Sequence, residues 1–560
     1  MKIFVRVLCL ILACLFCMFA LVACKDNNSK KKRKNEVEIK TDENGVRWAK
    51  DEWGTWREYD DLPDEELDYD DEPISFLYWT GESTVKAEFV QVEEVDDARL
   101  SSIYKRNEAI MDRLGVELVF TAEAGDSGSM NTFVARVKRS YDAGTNDFDL
   151  IGAYSRSQGA MLTAGYLVNL TKIENNYISA KGINGRTESK PWWPANIAGN
   201  LGIYHAGINN LYYVSGDIST NAIDQMHCIY FNKDLVNKQY EEMASEYFSA
   251  NAHKMTPEAG EDEGGDTATN MLYEKAYAGK WVLDDFIELC SNTYVDTKSD
   301  GVTVDDTFGL CSINYCMTAL YGGANLRMIE NDVNTTLKIS DDWTSNKTVK
   351  LIAKLSKLLR TTNYHTDTTT GKTYFQPFNN GKSYFSVYYM RMAEDYLMNN
   401  DKVENYGILP VPKYDTAQKN YYTVIGNEFS IYSVFRGRSE RGDAAATDSM
   451  LTAVLECWAS EAFRKTTPVI FELNMKLKSS PTQCEADMCE IIRQSIEFDM
   501  GRIFGSQLSG KVDETIQMDS LASSAALTGT SWATVTEANL GRMTTNLATF
   551  VAGLDLVKNG

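Results

Sequence analysis

Residues 148–154 read FDLIGAY, an apolar run that ends at the polar turn Ser155-Arg156-Ser157-Gln158. Its length and flanks predict a buried strand. Two similar runs precede it: ISFLYW (74–79), bounded by Thr80-Gly81, and VELVF (116–120). Between them, SSIYKRNEAIMDRL (101–114) and TFVARVKRSYDAG (132–144) space their apolar residues at helical intervals. Strands alternating with helices in this way predict a parallel sheet with helices on its faces, and ordered structure is expected to begin at Pro73. Ligands of such sheets sit beyond the carboxyl ends of the strands, which points to the loops after Trp79 and after Ala153. Further along, ATDSMLTAVLECWASEAF (446–463) has the spacing of a long amphipathic helix, the Gly-rich acidic stretch at 260–266 reads as an exposed loop, and no sequence repeat is evident.

The chain has 560 residues, 43% hydrophobic and 24% charged, enough for sizeable cores and for two or more domains. A formal net charge of -23 would repel phosphate backbones, so nucleic acid is excluded as a partner. Aromatics reach 11%, with 30 Tyr and 10 Trp, which suits sugar-facing or interface surfaces because flat rings bury area at low entropic cost. Four of the 11 Cys (Cys9, Cys14, Cys17, Cys24) lie near the amino end, and the odd remainder argues against a complete disulfide framework. Neither Cys311/Cys316 nor Cys484/Cys489 has zinc-knuckle spacing, and the four His are scattered, so no metal site is expected.

At the amino end, Lys2 and Arg6 precede the charge-free run VLCLILACLFCMFA (7–20), too short to span the roughly 30 Å hydrocarbon core of a bilayer. A secretion signal over 1–23 fits it better. Leu21-Val22-Ala23-Cys24 resembles the bacterial lipobox, which makes Cys24 the expected lipidation site and the outer face of the cell membrane the expected location. The basic run Lys30–Lys34 would lie against anionic head groups. The polar, acidic stretch up to EYDDLPDEELDYDDEP (58–73) reads as a tether, so residues 24–72 are assigned as a lipidated linker, with Trp48, Trp53 and Trp56 packed on the folded body.

No nucleophile elbow, HExxH, Walker loop or dinucleotide fingerprint occurs in its usual setting. Adjacent carboxylates such as Asp284/Asp285 and Glu93/Glu94 point apart on a helix or strand and read as solvated faces. Four segments in order then resemble the family 1 extracellular solute-binding proteins of carbohydrate ABC importers, in their Gram-positive lipoprotein form. They are FDLIGAYSRSQGAMLTAGYLVNLT (148–171), LYYVSGDISTNAIDQMHCIYFNKDLV (211–236), FNNGKSYFSVYYMRMAEDY (378–396) and YGILPVPKYDTAQKNYYTVIGNEFSIYS (406–433). The resemblance implies an α/β chain with the two-lobed type II periplasmic-binding-protein fold, each lobe a sheet flanked by helices and the ligand in the cleft between. It places lobe 1 at 73–216, lobe 2 at 217–424, a return to lobe 1 at 425–480 and C-terminal helices on lobe 2 at 481–560.

A sugar offers C–H faces to aromatic rings and hydroxyls to planar polar groups. On lobe 1 the expected contacts are Trp79, Glu82, Tyr154, Arg156 and Gln158, with Asp217 at the crossing. From lobe 2 the resemblance brings Tyr315, Tyr321, Tyr388, Tyr389 and Trp532. Trp79, Tyr315, Tyr389 and Trp532 are expected as stacking plates around one hollow, and Glu82, Arg156 and Asp217 as hydroxyl partners. Tyr388 and Tyr389 would point to opposite faces of a strand. Trp192 and Trp193 in KPWWPAN (190–196) read as framework. The implied function is capture of an oligosaccharide by a lipid-anchored monomer, without cofactor or catalysis, for delivery to ABC permease subunits. A surface carbohydrate-active enzyme, and a sensor or adhesin on the same fold, are the alternatives.

Overall fold

The computed structural model describes residues 37–63, 66–81, 87–205, 207–251, 265–332, 334–366, 375–397, 400–439, 444–475, 483–510 and 515–554. Cys24, the basic run and Glu82 lie outside the described residues. No helix among the described residues is long and apolar enough to cross a membrane.

Structure begins well before Pro73. Strands β1 (Ile39–Thr41), β2 (Arg47–Lys50) and β3 (Trp56–Glu58) form an antiparallel meander. Its two turns are alike: in DENG (42–45) and DEWG (51–54) the Asp side chain accepts backbone N–H groups ahead of it, and the Gly sits at positive φ, +81° and +85°. This is a local repeat that apolar periodicity does not register. The chain then docks on the body. Tyr59 and Asp60 are buried, three guanidinium groups (Arg47, Arg113, Arg464) lie 4.2–4.8 Å from the Tyr59 ring centre, and Arg113 binds Asp60 at 2.6 Å. Burial works against the Asp60 charge, but Arg113 and Arg464 outweigh it and hold the carboxyl below its ordinary value. The reading of 24–72 as a linker is therefore corrected for its described residues, because an acidic segment orders once arginines face it.

Lobe 1 is built on β4 (Glu72–Thr80), β5 (Val116–Ala124), β6 (Leu150–Tyr154) and β12 (Ser430–Val434), in the order β12-β6-β4-β5. The first three are parallel and β12 is antiparallel to β6. Helix α1 (Ala98–Leu114) starts at Asp97, whose side chain accepts the Leu100 N–H at 2.8 Å, and stops at Gly115 in the left-handed region. Helices α2 (Met130–Asp142) and α3 (Gln158–Thr163) follow, and α4 (Ala444–Met475) returns under the sheet, its Trp458 ring 5.1 Å from Phe76.

Lobe 2 is built on β7 (His227–Asn232), β8 (Phe308–Ser312), β9 (Tyr364–His365), β10 (Ser383–Tyr389) and β11 (Tyr406–Leu409), in the order β9-β8-β10-β7-β11. Here β7 is the antiparallel member. Both sheets thus read second, first, third, then an antiparallel strand that is the first to arrive from the other lobe. Two sheets that share this order and exchange these strands make the type II periplasmic-binding-protein fold. The C-terminal helices α5 (Gln483–Gln494), α6 (Met500–Ile503), α7 (Gly505–Ser509), α8 (Met518–Thr528) and α9 (Trp532–Gly553) complete the chain, and α8 bonds lobe 2 through Ser356 Oγ to the Ala526 carbonyl at 2.8 Å. The seven described cysteines are buried and form no disulfide among the described residues.

Trp192 and Trp193 are framework. Both indole N–H groups donate to the buried Glu456 carboxylate of α4, at 3.0 and 2.8 Å, beside the backbone N–H of Ser179. Burial pushes the Glu456 carboxyl up to about 7. Between the unfolded value near 4.5 and this folded value, the native state holds a proton that the unfolded chain has released. Stability from this group is present at low pH and is lost as pH rises through about 7, in total roughly 3 kcal/mol. Denaturant titrations across that window are expected to show the wild type losing this amount relative to Glu456→Gln; parallel pH profiles would count against the assignment.

Candidate ligand-binding site

The register places the cleft. In lobe 1, Tyr154 at the carboxyl end of β6 pairs with Ser430, the first residue of β12; in lobe 2, Tyr389 at the carboxyl end of β10 pairs with His227, the first residue of β7. The isolated bridge Met226↔Ile425 joins the two crossing segments. Carboxyl ends of both parallel sets therefore face the crossings and each other, with Gly426 to Glu428 between them.

The crossings are held by buried polar groups. Glu88 Oε1 accepts Tyr432 Oη–H at 2.6 Å, and its Oε2 accepts Ser430 Oγ–H at 3.1 Å and the Asn221 side-chain amide. Trp79 Nε1–H donates to the same Ser430 hydroxyl at 2.8 Å. Asp217 accepts Arg493 Nη1–H at 2.9 Å and Thr467 Oγ1–H at 2.8 Å, and burial pushes its carboxyl up against the pull of Arg493. Gly216 beside it has φ +140°, and a Cβ there would come within 2.8 Å of Pro194 Cδ and the Trp192 carbonyl oxygen, so only glycine fits.

The lobe-1 wall is the turn after β6. Arg156 Nε, Ser157 Oγ and both amide atoms of Gln158 are buried without a hydrogen-bond partner, and Gln158 is 0% exposed. Facing them from α7 are two more such atoms, Ser506 Oγ and Gln507 Oε1. Gly159 permits the approach: a Cβ there would lie 2.3 Å from the Gln507 amide carbon. Asn427 ties the sides together, its carbonyl accepting Ser155 Oγ–H at 2.8 Å and its Oδ1 accepting Arg502 Nη2–H at 2.9 Å.

The lobe-2 wall is aromatic. Tyr315 is 48% exposed and stacks at 6.4 Å on Tyr389, which lies 4.7 Å from Tyr388, itself 4.3 Å from Phe375. Arg391 lies over the Tyr389 ring at 5.6 Å. His227 packs edge-on to Tyr389 at 4.6 Å; burial, with Arg502 nearby, pushes its imidazole down to about 3, so it is neutral. Behind Arg502 is a cavity of about 20 Å³ lined by Tyr321, Arg327, Glu497, Asp499, Arg502 and Asp519.

The structure thus brings Arg156 and Gln158 to the interlobe face, sets Tyr315, Tyr388 and Tyr389 in the opposite wall, and puts Tyr321 on the cavity. Four expectations change. Trp79 and Tyr154, 5.2 Å apart, fill the end of the lobe-1 core instead of offering a ring face. Asp217 is 2% exposed, with one oxygen on Arg493 and the other on Thr467, so it is enclosed in the crossing and does not reach a solute hydroxyl. Trp532 is buried against Trp343, 4.7 Å between rings, with its indole N–H on the Trp343 carbonyl. Trp79, Asp217 and Tyr389 consequently do not share one hollow. Both Tyr388 and Tyr389 are buried, because β10 is covered on both faces. Ser506, Gln507, Arg391 and Glu88 escaped sequence reasoning, since no motif marks them.

No protein-family profile and no curated protein matches this chain. Among solved structures, a cyclo/maltodextrin-binding protein complexed with maltotetraose aligns at 12% identity and TM-score 0.49, over 85% of this chain and 98% of that one. The galacto-N-biose/lacto-N-biose I-binding protein of a Bifidobacterium longum ABC transporter aligns at 9% and 0.46, over 86% and 98%. MalX from Streptococcus pneumoniae, in complex with maltopentaose, aligns at 12% and 0.43, over 84% and 99%. The fold assignment rests on the strand order above, and the site on its own geometry.

Arg493 keeps Glu490, which accepts its Nε–H at 2.9 Å, but without Asp217 its Nη1–H and the Thr467 hydroxyl lose a buried acceptor. Asp217→Ala is expected to destabilise the protein by about 1–3 kcal/mol in urea unfolding. A loss below 1 kcal/mol would show that the crossing does not depend on this pair.

Proposed function

We propose that this protein is a solute-binding protein whose lobes close on a polyhydroxylated solute, an oligosaccharide, between the turn at Arg156–Gln158 and helix α7. The observation that carries this is the set of six unpartnered polar atoms on the turn at Arg156–Gln158 and on helix α7, which meet where Gly159 packs on Gln507. Left dry, each costs about 1–3 kcal/mol, and together they rival the whole stability of a domain. Closure on itself is therefore uphill. A ligand whose hydroxyls both donate and accept satisfies these groups and binds the closed form preferentially, which shifts the lobe equilibrium by that difference in affinity. Amides and hydroxyls dominate the set, which favours hydroxyl groups on the ligand face that meets it, and the half-exposed Tyr315 offers a ring face to its C–H groups.

In this reading Cys24 carries the lipid, palmitate among its acyl chains, on the outer face of the cell membrane. The closed form is the one that ABC permease subunits recognise, and the protein acts by binding, without catalysis.

The test replaces Gln158 by leucine, which keeps its bulk and removes both unpartnered atoms. Calorimetry and small-angle scattering against a panel of maltodextrins and other glycans are expected to show compaction of the wild type on binding. Gln158→Leu should lower affinity at least tenfold with no loss of thermal stability. Undiminished affinity in the variant, or a wild type that neither compacts nor releases heat with any glycan, would sink the proposal.

A further inference from the structure

The cavity behind Arg502 has an electrostatic character of its own. Its guanidinium groups are both matched: Arg327 Nη2 holds Glu497 at 2.7 Å, and Arg502 pairs with Asp519. One lining carboxylate is left over. Asp499 makes no ion pair among the described residues, its oxygens accepting only the backbone N–H groups of Met328 and Gly501, at 2.8 and 2.7 Å. Outside the lining, Asp342 accepts the Arg327 backbone N–H at 2.7 Å and is close enough to act on the Tyr321 hydroxyl and on Lys347. Loss of hydration pushes the half-buried Asp499 carboxyl up, with Arg327 opposing.

An independent observation points to an occupant. Tyr321 lines the cavity, is 2% exposed, and its hydroxyl has no hydrogen-bond partner. The neighbouring Thr348 hydroxyl donates elsewhere, to the Asp342 carbonyl oxygen at 2.7 Å. At about 20 Å³ the space holds one small heavy atom with its hydrogens. A metal ion is the weaker candidate, because the one group of carboxylates among the described residues close enough to share an ion is Asp296, Asp300 and Asp306, elsewhere in lobe 2. A water molecule would fit the space but leave the Asp499 charge unmatched, whereas a compact N–H donor with a positive charge would satisfy both Asp499 and the Tyr321 oxygen.

We propose that this cavity is a subsite for a protonated amine of the solute, with Asp499 as its charge partner and Tyr321 Oη as a hydrogen-bond acceptor. The inference rests on the interlobe reading of the preceding section. Arg502, which lines the cavity, and Ser506 and Gln507 lie on the consecutive short helices α6 and α7, so a sugar seated against Gln158 and Gln507 rests on the same segment that walls the cavity. The solute class is then an amino sugar, or an oligosaccharide that contains one.

Calorimetry with glucosamine and glucose, and with methylammonium chloride against sodium chloride at equal ionic strength, tests this on the wild type, Asp499→Asn and Tyr321→Phe. Glucosamine is expected to bind at least tenfold more tightly than glucose, and methylammonium to give saturable heat where sodium gives none. Asp499→Asn should abolish that preference and Tyr321→Phe reduce it threefold or more, with circular dichroism unchanged. Equal binding of glucose and glucosamine, no binding of either amine, or an undiminished preference in the variants overturns the subsite. If Asp499→Asn does not fold, Tyr321→Phe decides. Failure of the two readings is distinguishable: neutral glycans binding while amines do not removes only the subsite, whereas methylammonium binding while no glycan does removes only the interlobe reading.

Discussion

One buried carboxylate holds together the places where the chain passes between lobes. Glu88, just after β4, takes hydrogen bonds from Asn221 on the first crossing and from Ser430 and Tyr432 on the second, and through Ser430 it engages the Trp79 indole. Its backbone carbonyl accepts from Arg106 at 2.8 Å, and that guanidinium in turn lies over Trp458 of α4 at 4.7 Å. A carboxylate removed from water needs all of these donors, because unpaired it would cost several kcal/mol. The two crossings are consequently fixed relative to the lobe-1 sheet.

The exchange of strands follows from the same constraint. Each lobe borrows its antiparallel strand from the segment that has just crossed, so neither sheet is complete without the other half of the chain. Since β12 begins at Ser430 and β7 begins at His227, the borrowed strands start where the parallel strands of each lobe end. The cleft therefore lies between two sets of carboxyl ends, and short turns such as Arg156–Gln158 carry its polar groups. Close approach there depends on glycine at 159, just as the crossing depends on glycine at 216.

The amino-terminal meander illustrates how charge can stand in for an apolar core. Tyr59 is enclosed by three guanidinium groups, and Asp60 and Glu461 neutralise Arg113 from two sides, at 2.6 and 2.8 Å. Arg113 lies on α1 and Glu461 on α4, so this strap joins the two helices that cover one face of the lobe-1 sheet. Its acidic composition reads as solvated until those arginines are placed opposite it.

Strand and helix periodicity alone determined the parallel core of lobe 1, the long helix around 446–463, and the position of the turn after FDLIGAY, because each is a short-range pattern of apolar spacing. The framework role of Trp192 and Trp193 was equally legible, since flanking prolines fix that segment. Only the tertiary structure decided which aromatic rings are walls and which are core. Trp79 and Trp532 differ from Tyr315 not in local sequence but in what packs over them, Tyr154 and Trp343 in the first two cases and open space in the last. It likewise decided that Asp217 is consumed by Arg493, hundreds of residues away along the chain, and that Gln158 meets Gln507. Long-range pairing of polar groups depends on where distant segments are brought together, and no local pattern encodes it.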